Sequence, residues 1–171
     1  MAAPSYKNAA GPGPIIRAAP SDREGAAPHA VKTFIVEDNP LILEKLISTL
    51  QELTPVQVVG SAGDEARAMA WLEQPGNDCE LLIVDIFLKG GSGLGVLRRT
   101  ARDGPQRRVV LTNYATPDIR STCSALGADR VFDKSSELEE LIAYCERMGD
   151  GGDSAAGALS EAPRSRPATR R

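Results

Sequence analysis

Five side chains in this sequence are of types that could do chemistry together: Glu37, Asp38, Asp85, Thr112 and Lys134. Three are carboxylates, one is a hydroxyl and one an ammonium. Asp85 is the most pointed of them, because the apolar run Leu81-Leu82-Ile83-Val84 leads straight into it. A buried, unpaired carboxylate costs several kcal/mol or shifts its pKa upward until it is neutral, so about that much compensation is needed. Three carboxylates brought close repel one another unless cations neutralise them. All-oxygen ligation favours Mg²⁺, which keeps several waters and takes one or two carboxylates plus phosphate oxygens. A carboxylate can also act as a nucleophile and become an aspartyl phosphate. The chemistry suggested is a metal-assisted attack of Asp85 on phosphorus, with Lys134 neutralising charge.

These residues can meet only if the chain brings them to one place. The segment 31–148 alternates strand and helix signals. Strands are expected at 31–37, 56–62, 81–86, 108–113 and 130–133. The first helix starts with Asn39 as N-cap and Pro40 at its first position, and Leu43, Leu46, Ile47 and Leu50 share one face. Asp64 can cap a helix over "EARAMAWL", Ser92 to Arg102 reads as a third helix stopped by Asp103-Gly104-Pro105, and Thr116-Pro117 opens a fourth that ends at Gly127. Ser136 and Glu139 have the spacing of a capping box for the last helix, which carries Leu138, Leu141, Ile142 and Cys145. Strand–helix units without hairpin signals imply a parallel sheet covered on both faces, and right-handed crossovers make it doubly wound. The third strand, apolar on both faces, suits its centre. In such sheets ligands bind outside the carboxyl ends of the strands, and all five residues fall at those ends.

Composition excludes several other functions. With 42% hydrophobic and 25% charged residues the chain is ordinary for a folded domain. Net charge is −3, which gives no electrostatic case for nucleic-acid binding. The single histidine, His29, sits in a Pro/Gly/Ala-rich stretch, which argues against a histidine metal site or a Ser-His-Asp triad. Cys79, Cys123 and Cys145 have no metal or redox spacing and read as reduced thiols. No apolar run approaches the ~20 residues of a membrane span, and no secretory layout is present; the expected location is the cytoplasm. Residues 1–30 and 149–171 lack periodicity and read as disordered tails. The "RSRPATRR" end reads as a solvated tail rather than a site for an acidic partner.

The motifs "VEDN", "LLIVDIFLKGGSG", "VVLTNYA" and "VFDKS" resemble those of the receiver domains of bacterial two-component response regulators. The ordered set is specific, with 47 residues from Asp38 to Asp85 and 22 from Thr112 to Lys134. The resemblance implies a flavodoxin-like fold: a doubly wound five-stranded parallel sheet, order 2-1-3-4-5, with five helices. It implies that Asp85 is the phosphoacceptor. Asp38 and Asp85 would bind Mg²⁺ with the backbone carbonyl of Phe87, and Glu37 would hold the metal or a metal-bound water. Thr112 and Lys134 would contact phosphoryl oxygens. The implied partners are a histidine kinase or histidine phosphotransfer protein and a downstream target protein, with no nucleic acid and no membrane insertion.

There are departures from the family pattern. Val131 stands where an aromatic switch residue is common, and Phe132 beside it faces the other way by strand alternation. Ser135 replaces the proline that often follows the lysine, so the Lys134–Ser135 bond is expected to be trans, a cis bond there costing ~2.5–4 kcal/mol. Asn113 replaces a small residue beside the pocket, where it would restrict access to Asp85. The resemblance implies that Phe87 and Tyr114, two after Asp85 and two after Thr112, flank the path of a hydrolytic water, where they are expected to shield the phosphorus. The glycines of "GGSGLG" read as a strand–helix turn rather than a phosphate cradle, and Trp71 as helix packing. The 23 residues after 148 are too few for an output module, so the expectation is a stand-alone receiver acting as a binding switch, a shuttle or a phosphate sink. The alternatives are an unphosphorylated pseudo-receiver, or an Asp-nucleophile phosphatase, which would need an acid where Phe87 stands.

Overall fold

The computed structural model describes residues 28–100 and 105–151. In chain order the elements are β1 (Val31–Val36), α1 (Pro40–Leu53), β2 (Val56–Ala62), α2 (Glu65–Leu72), β3 (Leu81–Val84), α3 (Gly93–Arg99), β4 (Arg107–Thr112), α4 (Pro117–Ala125), β5 (Arg130–Asp133) and α5 (Leu138–Gly149). The strands form one sheet in the order β2-β1-β3-β4-β5, and every neighbouring pair is parallel. β3 lies at the centre and all four of its residues are buried, as a strand covered on both faces requires.

Strand alternation divides β3 between two cores. Leu81 and Ile83 join Ile35, Val109 and Leu111 under Leu46 and Leu50 of α1 and Leu141 and Cys145 of α5. Leu82 and Val84 join Phe34 and Val36 under Ala68 and Met69 of α2 and Val96 of α3. A third cluster, Ile86, Leu97, Val110 and Cys123, seats α4 on the second face. Truncating one of the fully buried residues, for example Ile83→Ala, should cost about 2–5 kcal/mol. The register of β1 on β2 shifts after Thr33, which brings Gly60 opposite Phe34. Trp71 stacks on Phe34 there, with ring centroids 4.2 Å apart, and a Cβ on Gly60 would press on both rings. Trp71 is therefore packing, as expected.

Local signals set most of the helix starts. Asn39 Oδ1 accepts the N–H groups of Leu41 and Ile42, with Pro40 at the first position. Asp64, Ser92 and Thr116 cap α2, α3 and α4 with their side chains. The expected capping box of α5 is not formed: the helix begins at Leu138, with Glu137 at the cap position and no side-chain cap bond. Ser136, the expected cap, bonds back to Asp133 instead, and the neighbouring carboxylates are engaged as well. Glu137 Oε2 accepts Arg120 Nη2 and the Asp133 N–H, both at 2.7 Å. Asp133 Oδ1 takes the Ser135 N–H and hydroxyl. α3 ends at Arg99 rather than Arg102, because Thr100 turns extended and its hydroxyl bonds back to the Val96 and Leu97 carbonyls. The expected stop at Asp103-Gly104 lies outside the described residues, as do the tails before 28 and after 151. Pro28 to Ala30, assigned to the N-terminal tail by composition, are described, and the His29 N–H donates to the Gly149 carbonyl. Among the described residues there is no cis peptide bond, so Lys134–Ser135 is trans as expected.

Candidate functional site

Parallel pairing aligns the carboxyl ends of β1, β3, β4 and β5, and the chemistry-bearing residues follow those ends. The Glu37 N–H bonds the Ala62 carbonyl and the Asp85 N–H bonds the Val36 carbonyl, so both acids are held by the sheet's own ladder. The Lys134 N–H bonds the Thr112 carbonyl, which fixes the lysine beside the end of β4. Asn39, by starting α1 at once, keeps Asp38 on the rim.

Lys134 is the centre of the arrangement. Its Nζ lies 2.6 Å from Asp85 Oδ2 and 2.5 Å from Glu37 Oε2, and all three side chains are almost wholly buried. Burial works against the ammonium, but its hydrogen bonds to Asp85 and Glu37 outweigh that and hold its pKa above the ordinary lysine value. The second oxygen of each acid is occupied as well: Glu37 Oε1 accepts the Asn39 N–H and Asp85 Oδ1 accepts the Phe87 N–H. Asp38 Oδ2 accepts the Lys89 N–H at 3.0 Å, with the Lys89 ammonium at 4.0 Å. This answers the cost of delivering Asp85: a buried cation and a backbone N–H compensate it.

Carboxylate oxygens of Glu37, Asp38 and Asp85 lie within 4.8 Å of one another. Three carboxylates and one lysine ammonium leave a formal charge of −2, and the donors are all oxygen. That set fits a hard divalent cation such as Mg²⁺. The acids open into a cavity of about 190 Å³ lined also by Asn39, Ile42, Phe87, Asn113, Tyr114 and Lys134. Phe87 and Tyr114 are more than half exposed at its mouth and meet edge to face. Asn113 is exposed on the same rim. Thr112 is fully buried and is not among the lining residues; its Oγ1 accepts the Tyr114 N–H at 3.3 Å. Val131 packs with the Ile86–Leu97 cluster and Phe132 with the opposite core, so the alternation expected for them holds.

Sequence reasoning missed Glu65 and Lys89. Glu65 Oε2 accepts the Ser92 N–H from the loop that follows Asp85, and Lys89 is the loop residue bonded to Asp38. A signal existed for the first in the unusual glycine density of 90–95, which marks close packing against something.

The model of the response regulator receiver domain matches residues 33–146. The nitrate/nitrite response regulator protein NarP of Escherichia coli is 32% identical over 114 residues, 65% of this chain and 51% of NarP. The transcriptional activator DevR/DosR of Mycobacterium tuberculosis is 28% identical over 71% of this chain and 55% of its own. This chain thus spans about half the length of these relatives. Among solved structures, the signal receiver domain of NarL from Mycobacterium tuberculosis superposes with a TM-score of 0.63 at 23% identity, covering 72% of this chain and 99% of that one. RcsB from Salmonella enterica, solved on promoter DNA with a phosphomimetic, gives 0.57 at 25% identity, covering 67% of each chain. A family match over two thirds of the sequence, joined to the sheet order and the acidic rim, places this chain in the receiver-domain family of bacterial two-component response regulators.

Proposed function

We propose that this chain is a Mg²⁺-dependent phosphoacceptor whose nucleophile is Asp85. The observation that carries the reading is the single ammonium of Lys134 clamped between Asp85 and Glu37 at the strand ends. The implied donor is a phosphohistidine on a histidine kinase or phosphotransfer protein. An Asp85 carboxylate oxygen forms the bond to phosphorus; the P–N bond breaks, and the leaving imidazole nitrogen keeps the electron pair and takes up a proton. Lys134, already on Asp85, follows the negative charge to the phosphoryl oxygens. Thr112 Oγ1 acts only as an acceptor toward the Tyr114 N–H, so its O–H can be donated to a phosphoryl oxygen.

Asp38, Asp85 and the Phe87 carbonyl would hold Mg²⁺, with Glu37 holding the metal or a water on it. The ion supplies neutralisation of the charge gathered between the carboxylates and the phosphoryl group. Positioning and charge are most of what phosphoryl transfer needs from a protein, and these residues provide both. The signal would leave through a contact with a target protein or by onward transfer to a histidine. A phosphatase is disfavoured, since Phe87 occupies the place of the second acid.

Incubation with Mg²⁺ and a small phosphoryl donor, followed by intact-mass measurement, tests this. Gain of one phosphate, lost in Asp85→Asn, is the expected result. Multiple turnover of phosphomonoesters would favour the hydrolase. Absence of label would favour a pseudo-receiver, and undiminished labelling of Asp85→Asn would move the acceptor elsewhere.

A further inference from the structure

The glycine run 90–95 is neither an idle turn nor a phosphate cradle, because its glycines make room for a carboxylate of this same chain. Glu65, the first residue of α2, places Oε2 2.9 Å from the Ser92 N–H, and its own N–H bonds the Gly90 carbonyl at 3.0 Å. A Cβ on Gly91, which has φ +81°, would stand 2.5 Å from Glu65 Cβ, and one on Gly95 would run into Glu65 Oε1. A Cβ on Gly90 would press on Asp64. The socket around Glu65 therefore exists only because these positions lack side chains.

Besides the Ser92 hydroxyl and the Gly93 N–H on the Ile86 carbonyl and the packing of Leu88, the loop from Asp85 to Ser92 has two kinds of anchor. Two lie inside the candidate site: the Phe87 N–H on Asp85 and the Lys89 N–H on Asp38. Both use carboxylates that a bound cation would also engage. The Glu65 anchors lie outside the site and compete with no ligand. We infer that Glu65 is the positioning residue of the metal-binding edge: from α2 it holds the loop, and with it the Phe87 carbonyl, while Asp38 and Asp85 change partners. This rests on the reading of Asp38, Asp85 and the Phe87 carbonyl as the Mg²⁺ ligands. Residues that orient a ligand from behind commonly affect metal affinity by about 10–100-fold.

The experiment compares wild type, Glu65→Ala, Glu65→Gln and Gly95→Ala. One readout is the Mg²⁺ concentration giving half of the thermal upshift. The other is amide exchange at 87–92 in metal-free protein. Glu65→Ala should raise the half-saturating Mg²⁺ about tenfold and speed exchange at Lys89 to Ser92, leaving β1 and β3 protected. Glu65→Gln keeps an oxygen for the Ser92 N–H and should recover most of the affinity. Gly95→Ala favours helix formation locally, yet it should also raise the Mg²⁺ requirement, because it displaces the carboxylate. A merely structural role predicts no such change. Wild-type Mg²⁺ affinity in Glu65→Ala and Gly95→Ala would overturn this inference alone. A wild type with no Mg²⁺ response would overturn the metal reading and this inference with it.

Discussion

The rings of Phe87 and Tyr114 meet edge to face at the mouth of the Asp85 cavity, with centroids 5.1 Å apart and planes at 70°. Each is more than half exposed, which is unusual for large apolar rings and puts both beside the route by which water would reach a phosphoryl group on Asp85. Neither ring belongs to the buried core clusters, and the two meet each other at the rim.

Slow self-dephosphorylation is the outcome expected from that pair. Phe87 cannot hydrogen-bond a water, and both rings would shield a phosphorus on Asp85. A well-placed water-orienting group contributes ~10²-fold or more in such chemistry. Phe87→Asn combined with Tyr114→Glu should shorten the phosphoryl lifetime by about that factor, measured by loss of the mass label after donor removal. Loss of label from the wild type within seconds, or an unchanged lifetime in the double variant, would refute the shielding argument.

Lys134→Ala should be strongly destabilising without metal. It leaves Glu37 and Asp85 buried with no cation, a loss of about 3–5 kcal/mol for a broken buried pair. Mg²⁺ should then restore more stability to this variant than to the wild type, because a second cation replaces the first. Thermal melts with and without Mg²⁺ decide the matter; equal upshifts in the two proteins would contradict the shared role.

The same lysine predicts an alkaline limb. Its folded pKa is raised above 10.5, so its stabilisation is full below that value and is lost as pH rises through the folded pKa. Stability measured above pH 10 should fall more steeply in wild type than in Lys134→Met, and parallel profiles would count against the assignment.

Mg²⁺ should raise the melting temperature of the wild type, by a free energy of about 2.7 kcal/mol at a hundredfold excess over Kd. Asp38→Ala should abolish the response. Relief of like-charge repulsion would by itself make that variant more stable without metal. The lost Lys89 N–H bond offsets the gain, so its metal-free melting point should lie close to the wild type's. An undiminished Mg²⁺ upshift in Asp38→Ala would remove Asp38 from the metal site.

Val131 cannot act as an aromatic rotor, and the structure offers Arg120 at the same face instead. Its guanidinium bonds the Ala115 carbonyl, the Val131 carbonyl and Glu137 Oε2. The Arg120 hydrogen bond, with the Asp133 N–H, holds the Glu137 pKa below 4.5. That contribution is present above pH 4.5 and is lost as pH falls through the folded value, so Glu137→Gln should flatten part of the acid limb. On phosphorylation, exchange changes should centre on 112–116. Changes confined to 130–133 would place the switch elsewhere.

Much of the fold was legible in the sequence for a local reason. Strand–helix alternation, the Asn39-Pro40 and Thr116-Pro117 starts and the all-apolar third strand are signals carried by neighbouring residues, and the structure agrees with each. Strand ends were read one or two residues too far at Glu37, Asp85 and Asn113, because a polar residue at a sheet rim looks the same whether it is the last of the strand or the first of the loop. The capping box at Ser136 failed because Ser136 bonds back to Asp133 and the helix starts only at Leu138, with the Glu137 carboxylate turned to Arg120.

The candidate site divides the same way. Residue types, their place at strand ends and the resemblance to receivers together selected Glu37, Asp38, Asp85, Thr112 and Lys134. Only the tertiary structure decided how they meet. It put the Lys134 ammonium between Glu37 and Asp85, across separations of 97 and 49 residues, and buried Thr112 behind the rim. It also revealed Glu65 as the counterpart of the glycine run, 27 residues before Ser92. Such pairings depend on which strand ends lie side by side and which helix packs against which loop. A linear pattern names the donors and acceptors; the order of the strands chooses the partners.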